Sequence, residues 1–167
     1  MLSSNRTTRP GALGRSSCNI VATICSNRSS PERATGAVVS GRFTYEAARH
    51  WGDENPWDVP VFIVTHRPEE QPEGGAFTFV SGVRPAIERG IAAAGDKDVL
   101  VMGGADVIRQ ALDAGLVDEL TIIVAPVVLG GGKRLFDGFT TPLELEHLGL
   151  RQSPYATFVE YRVLRPA

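Results

Sequence analysis

Apolar positions along this chain fall into short runs separated by glycine, proline and polar clusters. The pattern is densest between Val99 and Phe136. There, Val99, Leu100, Val101 and Met102 form a run that fits a buried strand, and Gly103 and Gly104 follow it directly. Val107, Ile108, Ala111 and Leu112 then repeat at helical spacing on one face, and Gly115 is placed to end that helix in a left-handed cap. A second apolar run, Leu120 to Val128, leads into Gly130, Gly131 and Gly132. Strand, paired glycines, helix, cap and strand make a crossover unit. It leaves backbone N–H groups at a helix start, where a phosphate binds well.

Upstream, Ala37, Val38 and Val39 predict a strand, and Gly41-Arg42-Phe43-Thr44-Tyr45-Glu46 predicts a turn into a helix reaching about Trp51. Thr44 either caps this helix or hydrogen-bonds an anion at its start, and spacing leaves both readings open. Pro56 and Pro60 bracket an irregular stretch holding Trp57 and Asp58. The run Val61 to Val64 predicts another strand, followed by Thr65-His66-Arg67-Pro68. Polar and basic residues just beyond a strand's C-terminal end stand where open α/β sheets present ligand-binding groups. By itself Arg67 reads first as a solvated loop charge, with a phosphate partner as the alternative. Phe77 and Phe79, alternating with Thr78, predict a short strand. Pro85 suits the first turn of a helix from Arg84 to about Ala94 whose apolar face includes Ile87 and Ile91. After Phe136, Asp137-Gly138 marks a turn. Leu143, Leu145 and Leu148, then the stretch 156–163, predict two final antiparallel strands.

A length of 167 residues supports one domain with a real core. Hydrophobic content of 43% and charged content of 22% are ordinary for a soluble globular chain. No apolar run approaches the roughly 20 residues needed to span a bilayer, so no membrane partner is expected. A net charge of -2 gives no reason to expect nucleic acid as a partner. The charge nonetheless divides the chain: residues 1–35 hold five arginines and one acid, Glu32, whereas the remainder holds 12 basic and 18 acidic residues. The basic leader, 1–35, reads as a disordered solvated tail, as a transit peptide by composition, or as an edge strand at Asn19–Cys25 docked on the domain at 36–167. Cys18 and Cys25 match neither a C-x-x-C pair nor a zinc site, and His50, His66 and His147 are scattered. No metal site is expected, and the cysteines read as plain thiols of a reducing cytoplasm.

Three separated segments, Gly41–Glu46, Thr65–Arg67 and Gly103–Gly104, resemble in their order the dihydrofolate-reductase-like fold. More closely, Gly115-Leu116-Val117-Asp118-Glu119-Leu120 followed by Pro126-Val127-Val128-Leu129-Gly130-Gly131-Gly132 resembles the reductase (C-terminal) domain of the bifunctional riboflavin biosynthesis deaminase-reductase. The likeness spans Gly36 to Arg165. It implies a mixed, mostly parallel α/β sheet flanked by helices, with antiparallel C-terminal strands and NADPH lying across the strand ends. On this resemblance Gly41, Arg42 and Thr44 hold cofactor phosphates, and Thr65, His66 and Arg67 surround the adenosine 2′-phosphate. Gly103 and Gly104, with Ala105 and Asp106, let the backbone approach the pyrophosphate. A carboxylate at Asp106 favours the helix start but repels a phosphate unless it points away. Lys133 and Arg134 are candidates for a substrate phosphate, or are solvent-facing turn charges. The pattern departs at the start of the chain. Family members begin with a central strand ending in Ser-x-Asp-Gly, then a loop and helix that build the substrate pocket; nothing before Gly36 matches, so that segment reads as truncated or replaced.

The resemblance implies NADPH-dependent reduction of a small heterocyclic or carbonyl substrate, similar to that of 5-amino-6-(5-phosphoribosylamino)uracil reductase in riboflavin biosynthesis. One alternative is an NADPH-binding, non-catalytic paralogue without the first strand and substrate half. Another is dihydrofolate reductase, which needs an acid on an early helix that this sequence does not supply. No catalytic residue is assigned: Glu46 and Asp58 are the conceivable proton donors, and Glu46 reads more simply as a helix-terminus residue. The expected partners are a small-molecule substrate and, by family resemblance, a second copy of the chain in a homodimer. The apolar run Leu120–Leu129 either contributes to that dimer or forms a buried central strand.

Overall fold

The apolar runs become strands, and hydrogen bonding collects eight of them into one sheet in the computed structural model, which describes residues 18–24, 34–128, 130, 131, 134, 136–139 and 142–164. In chain order the strands are β1 (Cys18–Ile24), β2 (Thr35–Gly41), β3 (Val61–Thr65), β4 (Thr78–Ser81), β5 (Asp98–Met102), β6 (Glu119–Val124), β7 (Glu144–Gln152) and β8 (Thr157–Leu164). Across the sheet they stand β4-β3-β2-β5-β1-β6-β8-β7. The pairings among β4, β3, β2 and β5 are parallel. Those of β1, β6, β8 and β7 with their neighbours are antiparallel. Because β1 lies antiparallel to both β5 and β6, those two strands run the same way, and only β1 and β8 oppose the common direction. The sheet is therefore mixed and mostly parallel, with the antiparallel β7–β8 hairpin at its C-terminal end.

Parallel neighbours need crossover connections, and helices supply them. They are α1 (Arg42–Ala47), α2 (Val83–Ala94) and α3 (Ala105–Asp113). Alternation along β2 sends Ala37 and Val39 into a core shared with α2 and α3, where Ile87, Ile108 and Leu120 are fully buried. Val38 points the opposite way, into a smaller core with Ile63, Phe79 and Tyr45 of α1. Each large side chain sealed in this way contributes about 1.5–3 kcal/mol. The end of α3 follows expectation: Gly115 adopts φ 65, its N–H bonds Leu112 O at 2.9 Å, and Leu116 N–H bonds Ala111 O at 3.0 Å.

Four expectations are corrected. The first helix stops at Ala47 instead of reaching Trp51, because Arg49, His50, Trp51 and Asp53 all adopt positive φ. Left-handed backbone costs roughly 1–2 kcal/mol per non-glycine residue. The turn drives Trp51 onto Trp57 (5.0 Å between centroids) and stacks His50 on Tyr45 (4.4 Å), and this aromatic packing offsets the strain. Ile91 is 41% exposed, since the buried stripe of α2 follows Val83, Ala86, Ile87, Gly90 and Ala94. The run from Leu120 to Val128 is a strand only to Val124, with Leu120 alone fully buried, and Val127 and Val128 lie exposed beyond it.

The last correction concerns the leader. Residues Cys18–Ile24 form neither a solvated tail nor an edge strand; they stand inside the sheet. Val21 is registered with Met102 of β5 on one side and with Thr121 of β6 on the other. A gap between β5 and β6 would strand two rows of backbone N–H and C=O groups, and β1 satisfies both.

Candidate functional site

Because β2, β3 and β5 are parallel, the segments that follow them emerge at one edge of the sheet. Two of them touch. The N–H of Gly41 donates to the carbonyl of Gly103 at 3.0 Å. A Cβ on Gly41 would lie 3.0 Å from Val107 Cγ2 and 3.4 Å from the Gly104 nitrogen. At Gly103, φ is 49, and a Cβ there would sit 2.9 Å from Thr44 Oγ1. Only glycine fits such a left-handed, crowded position. Thr44 is not a helix cap: Gly41 holds the N-cap position of α1 without a side-chain bond, and the threonine hydroxyl lies one turn in, against Gly103 and Gly104.

The start of α3 faces the same place. Gly104 is its N-cap, extended at φ -60 and ψ 166, and no side chain caps the helix. Its first N–H groups, at Ala105 and Asp106, belong to the set an α-helix cannot satisfy internally. Asp106 does not close this position. Its carboxylate is 70% exposed and pairs at 3.2 Å with Arg109, one turn further along, and Arg109 also donates to the Asp137 carbonyl at 3.0 Å. The carboxylate is thus drawn along the helix, away from its start.

At the end of β3, Thr65 is buried and its hydroxyl accepts the Arg67 N–H at 3.1 Å, which shapes the turn. His66 is exposed. Arg67 Nη1 bonds Glu70 at 2.7 Å, and Arg42 Nη2 reaches the other oxygen of the same carboxylate at 3.2 Å. Arg42 Nε also bonds Glu46 at 2.6 Å, and its guanidinium lies 4.9 Å from the centre of the Phe79 ring. Burial alone would lower the Arg42 pKa, but the Glu46 and Glu70 carboxylates outweigh it and hold the group above its ordinary value. Arg42 Nη1 is buried and has no hydrogen-bond partner among the described residues.

Gly41, Arg42, Thr44, Thr65, His66, Arg67, Gly103, Gly104, Ala105 and Asp106 therefore share one edge. Arg134 is exposed in the segment after β6, which leaves the sheet at that edge too; Lys133 lies outside the described residues. A depression of about 460 Å³ lined in part by Arg84, Gln110 and Asp113 contains none of these residues. Sequence reasoning missed Glu70 and Ser40, whose hydroxyl donates to the Met102 carbonyl at 2.8 Å and ties β2 to β5. The three-residue spacing of Arg67 and Glu70 was the only available signal for the former. For Ser40 there was none.

The family model for the RibD C-terminal domain matches residues 36–157, a span that runs from β2 through β7 and includes every candidate residue at this edge. The chain belongs to the RibD C-terminal domain family. Its fold is the dihydrofolate-reductase-like one, and its structural neighbours are riboflavin biosynthesis reductase domains. The uncharacterised protein YwjB of Bacillus subtilis (strain 168) is 27% identical over 125 residues, which are 74% of this chain and 71% of YwjB. A crystal structure of a protein ascribed to riboflavin biosynthesis, from Shewanella sp. PV-4, superposes with a TM-score of 0.65 at 25% identity, covering 78% of this chain and 75% of that one. The riboflavin biosynthesis reductase Rib7 of Saccharomyces cerevisiae gives a TM-score of 0.59 at 14% identity over 78% and 75% of the two chains, a likeness of fold.

Proposed function

We propose that this chain is an NADPH-dependent reductase of a small heterocyclic or carbonyl substrate, of the type that reduces 5-amino-6-(5-phosphoribosylamino)uracil. The observation that carries the reading is the junction of Gly41, Thr44 and Gly103 beside the uncapped start of α3. Gly103, Gly104 and Thr44 are partly exposed there, beside the first N–H groups of α3, an arrangement of backbone and hydroxyl groups that fits a pyrophosphate. α1, with six residues, is too short to add a helix-end field, so the nine-residue α3 provides that contribution. Arg42 and Arg67 supply the cations for a phosphate on the adenosine ribose. NADPH bound there would supply the hydride. The protein's part is to fix the nucleotide across the strand ends and keep one face of it toward the substrate.

Support for the reading is testable by thermal unfolding with NADPH. Ligand at about 100 times its dissociation constant adds about 2.7 kcal/mol of stability. A melting temperature unmoved at millimolar NADPH overturns the proposal. Turnover is the second measurement: NADPH oxidation is followed at 340 nm across pyrimidine, pteridine and carbonyl substrates. Flat traces beside a clear thermal shift favour a non-catalytic nucleotide-binding paralogue, the alternative to which the lack of a Ser-x-Asp-Gly sequence before Gly36 lends weight. A homodimer is also proposed, through the half-exposed β6–β8–β7 region that carries Leu148, Leu150 and Tyr155. Sedimentation as a monomer at 100 times the assay concentration would exclude it.

A further inference from the structure

Arg42 and Arg67 come from different elements, yet both guanidiniums converge on one carboxylate, Glu70, at 3.2 Å and 2.7 Å. With Glu46 on Arg42, two cations face two anions, so the cluster is neutral as built. A phosphate arriving between these arginines meets the Glu70 carboxylate already in place. Glu70 stands on a short turn, Pro68–Glu70, and is 37% exposed, so it can rotate into solvent without disturbing either core. Arg42 cannot follow. Glu46 and the Phe79 ring hold it, and only part of its side chain is exposed.

We propose that Glu70 is an internal competitor for the nucleotide's 2′-phosphate, and that it limits how strongly this protein discriminates NADPH from NADH. The inference rests on the nucleotide reading above and adds a specificity residue to it. When a 2′-phosphate binds, Glu70 must release both arginines and leave the dianion's immediate surroundings. When the ribose carries a hydroxyl, the carboxylate remains where it is and can accept that hydroxyl's hydrogen bond. Discrimination is thereby reduced from both sides: one nucleotide has to displace an anion and the other gains an acceptor.

The test is isothermal titration of the intact protein and its Glu70→Gln variant with NADPH, NADH, 2′,5′-ADP and 5′-ADP. Exposed Glu69, one position earlier in the turn, provides the control Glu69→Gln. Glu70→Gln is expected to tighten NADPH and 2′,5′-ADP about three- to tenfold, the scale of releasing two exposed ion pairs, and to leave NADH and 5′-ADP within about twofold. The gain is expected to shrink between 50 and 500 mM salt, and Glu69→Gln to show at most a small part of it. If nucleotides bind but Glu70→Gln leaves the NADPH-to-NADH ratio unchanged, or Glu69→Gln changes it equally, this inference alone is overturned. If no nucleotide binds either protein, the nucleotide reading is overturned and this inference with it.

Discussion

Replacing Gly103 with alanine tests the contact on which the site depends. The cost has two parts. Residue 103 sits at φ 49, where a side chain adds about 1 kcal/mol of backbone strain. The new Cβ would also lie 2.9 Å from Thr44 Oγ1 and 3.3 Å from its Cγ2. Thr44 has little freedom to yield. Its side chain is β-branched, and its carbonyl accepts the Ala48 N–H at 2.9 Å. Overpacking of this kind costs about 1–3 kcal/mol. The total, about 2–4 kcal/mol, corresponds to a fall in melting temperature of roughly 4–16 °C for a chain of this size.

Thr44→Ala separates the two parts. It deletes the atoms at 2.9 and 3.3 Å and leaves the Thr44 Cβ at 3.7 Å, an ordinary contact. In a double-mutant cycle read by urea unfolding, Gly103→Ala should therefore lose about 1–3 kcal/mol less in the Thr44→Ala background than in the wild type. The residue of the effect, about 1 kcal/mol, is backbone strain that no change at Thr44 relieves. Additive single effects, within about 0.5 kcal/mol, would show that the two segments do not touch and would remove the geometric basis of the site.

Tyr45 is buried among Phe77 and Phe79, and burial, helped by Asp53, raises its pKa. The fold then holds the phenolic proton more tightly than the unfolded chain does, so stability should fall as pH rises from about 10 through the folded value. Urea midpoints between pH 8 and 11 should show that slope, and Tyr45→Phe should flatten it; equal slopes would refute the assignment. Arg67→Ala removes one of the two cations offered to a 2′-phosphate. Its side chain is 61% exposed, so the low end of a charge-assisted bond applies. NADPH should weaken about tenfold, near 1.5 kcal/mol, with NADH almost unaffected, and equal losses for both would remove Arg67 from the phosphate site.

What the sequence revealed and what it hid divide along physical lines. The β5–α3–β6 unit was readable because its burial is local: apolar residues at strand and helix spacing sit beside the glycines that cap them. Gly41, Thr44 and Gly103 could be named for the same reason. The end of α1 could not, since Arg49, His50 and Trp51 carry no local mark of left-handed backbone. Their conformation is imposed by rings on Trp57 and Phe77, further along the chain. Nor could the Arg42–Glu70–Arg67 cluster, which assembles from α1 and the turn after β3 and is backed by Phe79 of β4. Charges of that sort look like solvated surface until the sheet brings them together.

The leader is the sharpest case, because its strand stands inside the sheet and brings only its first residues to the site edge. In β1 the register runs from Val21 opposite Met102 to Ile24 opposite Val99. The Ile24 end of β1 therefore stands at the edge where β5 begins, opposite the edge that holds Gly41, Thr65 and Gly103. A strand ending in Ser-x-Asp-Gly at the site edge would have to run the other way. β1 delivers only its first residues there, with Cys18 beside Val124. The three segments proposed to hold the nucleotide follow β2, β3 and β5, whose mutual parallel pairing does not involve β1. Its placement can be tested through the backbone alone. Proline in an interior strand cannot donate to the ladder. Val21→Pro leaves an acceptor on β5 or β6 unpaired, at about 1–3 kcal/mol, and its ring further disturbs the pairing. A melting temperature lowered by roughly 2–12 °C is expected. An unchanged melting temperature would show that residues 18–24 do not occupy the centre of the sheet.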